Sequence, residues 1–304
     1  MSAGIHHHGK LMQAATYAAM ACGAVLVTIK ASAYFDTGSV ALLSSLADSA
    51  LDFLASFVTF LAVRFSLTPA DKEHSFGHGK VEPLSALAQT AFIAGSAVLV
   101  GVEAISRLRN PAPIQEEVTG IIVMVIAIVL TLALVTFQKF VVRNTGSVAI
   151  GGDSLHYTGD LLMNVAVIVA LVLSSQWGLT WADPVFGVGI SLYLMINAGR
   201  IAYLAVGGLM DRELPDAERQ EIRAVALQYP KVKRIHELRT RSSGLQKFVQ
   251  MHIVLDPALT LLEAHRISED VAKAIEAIMP GVDTIIHQDP DGIEEYHPRV
   301  GELL

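Results

Sequence analysis

Asp48 and Asp52 stand four residues apart in the stretch Thr37–Arg64, TGSVALLSSLADSALDFLASFVTFLAVR, which is otherwise apolar enough to cross a bilayer as one helix. That spacing places both carboxylates on one helix face, about a turn apart. An Asp at the centre of a membrane helix costs about 2.5 to 3.5 kcal/mol. Two of them facing the same way are therefore expected to hold something, and a cation is the natural partner. A second pair of the same spacing, His156 and Asp160, lies in another apolar run. The two runs are linked by an internal echo: Thr37-Gly-Ser-Val-Ala41 recurs as Thr145-Gly-Ser-Val-Ala149. The same offset carries Asp48 onto His156 and Asp52 onto Asp160. Because the copies lie three spans apart, the two helices run in opposite directions, as in an inverted repeat with a site where the halves meet. Three carboxylates and one imidazole suit a four-coordinate divalent ion such as zinc, and also accept ferrous iron, cadmium or manganese. Protonating His156 or one Asp weakens such a site, which supplies a route to metal-for-proton exchange.

Two further clusters carry ligand chemistry. Asp71, His74 and His78 fall within eight residues, in a loop bent by Gly77 and Gly79, and could close on one ion. His236, His252, His265, His287 and Asp289 crowd the C-terminal part, where His287 and Asp289 alternate onto one face of a strand pattern. Four histidines and an acid in so short a stretch point to a binuclear site.

The elements that must position these groups are legible from periodicity. Apolar runs of spanning length fall near 11–34, 38–65, 82–106, 117–141, 147–175 and 182–206. With 52% hydrophobic and 17% charged residues in 304, the chain is placed among multi-pass membrane proteins. Lys10, Arg64, Lys72, Lys80, Lys139, Arg143, Arg200 and Arg212 lie at span ends on one side, against Arg107 and Arg109 on the other, so both termini are expected in the cytoplasm. Beyond the sixth span a helix, two alternating strands, a helix and a third strand read as a small αββαβ domain. The expected organisation is a disordered tail at 1–10, a six-span all-α bundle at 11–208, a metal-binding α+β domain at 209–290 and a tail at 291–304. His6, His7 and His8 could collect metal weakly and receive no role. A single cysteine, Cys22, excludes a disulfide framework or a thiolate cluster. The net charge of −7 offers nothing to nucleic acid. No His-Glu-x-x-His run is present, so a zinc protease is not expected.

The motifs HSFGHGKVEPLSALAQ from His74, DSLHYTGD from Asp153, LMDRELPD from Leu209, HELRTR from His236 and IIHQDP from Ile285 resemble the cation diffusion facilitators, most closely the bacterial zinc and ferrous-iron efflux antiporters. The likeness covers nearly the whole chain. It implies a homodimer in the bacterial inner membrane, each subunit carrying six spans and a cytoplasmic, metallochaperone-like domain of ferredoxin type. It implies a transporter and not an enzyme, with zinc as cargo and as resident ion, cadmium and ferrous iron as further cargo, and protons as counter-ion in alternating access. It further implies that Asp48, Asp52, His156 and Asp160 form the transport site and Asp71, His74 and His78 a loop site. His236, His252, His265, His287 and Asp289 match a cytoplasmic binuclear site with Asp289 as bridge, and Lys80 and Asp211 match a charge interlock between subunits.

Overall fold

A computed structural model describes residues 3–38, 40–109, 118–179 and 181–293. Six long helices come first: α1 (Ala3–Thr37), α2 (Val40–Ser66), α3 (Val81–Arg109), α4 (Val118–Thr145), α5 (Val148–Trp177) and α6 (Ala182–Leu209). All six are long and apolar enough to cross a membrane. Helix α1 begins at Ala3, so residues 3–10, expected to form a disordered tail, are helical. The helix runs through both Gly4 and Gly9 here, and at Gly9 a side chain would press on Leu67 at 3.3 Å.

The internal echo extends to the backbone. Gly38 (φ 65°) and Gly146 (φ 69°) take the left-handed conformation at equivalent positions. Each closes the preceding helix, Gly38 N–H donating to the Tyr34 carbonyl at 2.7 Å and Gly146 N–H to that of Val142 at 2.8 Å. The next helix then opens two residues later, at Val40 and at Val148. For α5 the cap is Ser147, whose side chain accepts from the Ile150 N–H. Glu82, at the start of α3 and buried, also accepts hydrogen bonds from the Ser147 hydroxyl and the N–H groups of Val148 and Ala149. An acid there complements the positive end of the α5 dipole and ties α3 to it.

The C-terminal domain comprises α7 (Asp216–Ala226), β1 (Arg234–Ser243), β2 (Gln246–Leu255), α8 (Leu261–Ile278) and β3 (Asp283–Pro290). Strand order is β1-β2-β3, with β3 parallel to β2 and His252 opposite His287. Parallel pairing needs a crossover, which α8 supplies. A capping box between Thr260 and Glu263 starts α8. Met251, Ile253, Ile222, Ile267, Val271 and Ile275 make the core between sheet and helices. Even-numbered β2 residues such as His252 therefore face away from the helices.

Candidate metal-binding sites

In the bundle, α2 and α5 pack against each other, and Asp52 of the one meets His156 of the other. His156 Nε2 is 2.8 Å from Asp52 Oδ1 and 3.9 Å from Asp160 Oδ2. Asp52, His156 and Asp160 each offer a ligand atom within 4.8 Å of the others. Asp160 Oδ2 is buried and finds no hydrogen-bond partner among the described residues, as suits an oxygen aimed at a cation. The expected fourth ligand, Asp48, stands outside this group. It lines a cavity of about 650 Å³ whose far wall carries Glu103, Arg107 and Asp183, at the shared end of α3 and α6. Asp48 nonetheless remains within electrostatic reach of Asp52 and Asp160.

On the other side of His156 a polar network seals the bundle. Asp153, one turn earlier on α5 and 1% exposed, accepts from Ser56 Oγ at 2.9 Å, Gln89 Nε2 at 3.1 Å and Gln138 Nε2 at 2.6 Å. Ser56 also lies 3.0 Å from the Tyr157 hydroxyl, which donates to the Ala19 carbonyl at 3.5 Å. One buried acid thus links α1 through α5. Gly152 admits the link, because a side chain there would meet Gln89 Oε1 at 2.6 Å. Sequence reasoning missed these residues, although Asp153, Gln89 and Gln138 are polar groups in apolar spans and carry that signal.

In the loop, Asp71 Oδ1 lies 3.4 Å from His74 Nδ1 and Asp71 Oδ2 3.3 Å from His78 Nε2. The three ligand atoms fall within 4.8 Å of one another. Asp71 also accepts from the N–H groups of His74 at 2.7 Å and Glu73 at 2.9 Å. The His74 N–H above all holds its carboxyl below the usual carboxylate range, so the group is charged and ready to ligate. Gly77, at φ 76°, makes the turn that brings His78 back.

In the C-terminal domain, Asp289 is the hub. Its Oδ2 is 2.8 Å from His236 Nε2 and 3.0 Å from His252 Nδ1, while its Oδ1 is 3.0 Å from His287 Nε2. Three imidazoles gather on the two oxygens of one buried carboxylate, and His236, His252 and Asp289 offer ligand atoms within 4.8 Å of one another, a donor set that could hold a metal ion. His265 does not join them in this chain: it is exposed on α8, and α8 packs on the opposite face of the sheet. Glu237 was not foreseen. It takes φ 46°, a bulge that leaves Ile235 and Leu238 in the core and brings its carboxylate within 4.0 Å of His252.

Residues 16–210 match the family description "Cation efflux transmembrane domain" and residues 214–291 match "Cation efflux protein, cytoplasmic domain". The chain belongs to the cation diffusion facilitators. Facilitators similar to it include the cation-efflux pump FieF of Klebsiella pneumoniae, 47% identical over 94% of this chain and 95% of that one. The FieF pump of Salmonella schwarzengrund is 47% identical over 98% and 99%. Among solved structures, the metal-bound C-terminal domain of the CzcD transporter from Thermotoga maritima is 28% identical, covering 26% of this chain and 93% of that one with a TM-score of 0.25. As a facilitator the chain is a multi-pass membrane protein that moves divalent cations outward, not an enzyme. The expected six-span bundle followed by an αββαβ domain is the fold observed.

Lys80 donates to the Leu209 carbonyl at 3.2 Å, and Asp211 lies 3.4 Å from Arg241 within the C-terminal domain.

Proposed function

We propose that this facilitator exports zinc, with cadmium and ferrous iron as further cargo, in exchange for protons. The observation that carries the reading is the convergence of Asp52, His156 and Asp160 from two antiparallel spans. Asp48 completes the ligand set when a metal is taken up. The cavity before Asp48 and the sealed network around Asp153 favour alternating access: one end is open while the other is shut, and the Gln89–Asp153 bond must part for the closed end to open. Protons entering at His156 or a carboxylate release the ion. The basic residues at span ends favour a bacterial inner-membrane orientation with both termini in the cytoplasm, so the cavity faces outward.

The chain acts as a homodimer, with residues 11–208 as the membrane part, residues 209–290 as the cytoplasmic metal domain, and Lys80 and Asp211 as a charged interlock between subunits. Zinc would be the resident ion of that domain, as a pair held by Asp289 with His236, His252 and His287. It would neutralise a buried acid and fix the three imidazoles. Asp71, His74 and His78 form a separate, weaker loop site.

Zinc uptake into proteoliposomes driven by a pH gradient tests the reading. Asp52→Ala is expected to lower flux roughly 100-fold, equivalent to about 3 kcal/mol of lost ligation. Wild-type flux in that variant would sink it.

A further inference from the structure

Lys30 is a lysine inside a membrane span, and its side chain does not run to the nearer surface, as lysines near span ends usually do. It turns toward α2, where Nζ donates to Ser49 Oγ at 2.6 Å and to the Ser45 carbonyl at 3.2 Å. Ser45 and Ser49 share a stripe of α2 with Asp48 and Asp52, at three- and four-residue steps. Both of these hydrogen bonds go to neutral oxygens, so no carboxylate takes up the ammonium through them. Its field falls on Asp52, Asp160 and Asp48 together.

We infer that Lys30 is a built-in counter-charge that sets how tightly the membrane site holds a divalent ion. Asp48, Asp52 and Asp160 with a neutral His156 carry three negative charges, one more than a dication cancels. Lys30 leaves two, the amount that a single divalent ion neutralises. An ammonium fixed close by also repels an arriving dication, which lowers affinity and hastens departure. A transporter needs that: a site that binds too well does not release. The inference rests on the reading of Asp52, His156 and Asp160 as the transport site. The alternative role for Lys30, a brace that ties α1 to α2 through Ser49, makes a different prediction.

The test is zinc flux as a function of zinc concentration, with the full-length chain in proteoliposomes. Lys30→Met removes charge and hydrogen bonds; Lys30→Gln keeps a donor and removes only the charge, and so reads the charge should the Met variant fail to insert. Both are expected to lower KM by at least about tenfold and to lower kcat as well, because the ion leaves slowly. Lys30→Arg, which keeps the charge, is expected to stay near wild type in both constants. An unchanged KM in the neutral variants, with or without lost flux, would overturn the inference and leave the brace. Asp52→Ala run alongside separates the two levels. If it transports with wild-type constants, the metal site falls and this inference with it. If it is inactive while the neutral Lys30 variants keep the wild-type KM, only the inference falls.

Discussion

Asp52 and His156 meet at 2.8 Å, whereas Asp48, in the same Asp-x-x-x-Asp pair, faces a cavity. The difference follows from antiparallel helices, which align the inner member of one pair with the inner member of the other. The two acids are therefore unequal. Asp52→Asn is expected to abolish zinc binding at the membrane site, while Asp48→Asn weakens it by roughly tenfold, the loss of one ligand among four. Isothermal titration of full-length protein carrying Asp71→Ala and Asp289→Ala, to silence the other two sites, checks this. Equal losses would show that all four groups engage alike. The sequence was informative about these groups because carboxylates are costly in apolar spans, so each declares itself. It was silent about Glu237, since a bulge in β1 depends on one residue's φ, and no residue pattern encodes that.

Among the elements, α3 packs most extensively against α6, and its bond from Gln89 to Asp153 joins that pair to α5. Asp153→Ala would leave Ser56, Gln89 and Gln138 facing a void, with an expected loss of about 3 kcal/mol of stability. The midpoint of thermal unfolding in detergent measures it. Gly152→Val acts on the same contact from the other partner: its side chain displaces Gln89 and is expected to slow transport while zinc affinity at the membrane site stays within about twofold. Flux together with titration checks that split, and lost affinity would show that the network shapes the metal site itself. The six spans, and the start of α5 at Thr145-Gly-Ser, were legible from hydrophobic run length and capping residues. What was not legible is which polar residues of different spans find each other, because run length fixes that a helix forms but not how it is rotated. The misread start of α1 has a similar cause: a polar N-terminal stretch looks like a tail, but a few polar residues do not stop a helix that is already propagating.

For the molecule as a whole, the membrane bundle and the C-terminal domain are separate compact units, and metal should act on each. Zinc at about 100 times its dissociation constant is expected to stabilise the C-terminal domain by about 2.7 kcal/mol, and a chelator to remove that gain. Differential scanning calorimetry of the full-length protein reads it as a shift in one transition. Asp289→Ala is expected to abolish that shift while leaving zinc binding at Asp52 and His156 intact. A shift that survives would place the stabilising ion elsewhere. The parallel pairing of β2 with β3 also imposes an order of events. His252 and His287 become neighbours only after α8 has crossed over and β3 has docked, and Asp289, which all three imidazoles need, is on that same strand. A chain still emerging from the ribosome therefore presents isolated histidines with little hold on zinc. Capture of an ion at this hub would then be a sign that synthesis has passed β3 and that the domain has closed, and a truncated or misassembled copy would go unloaded.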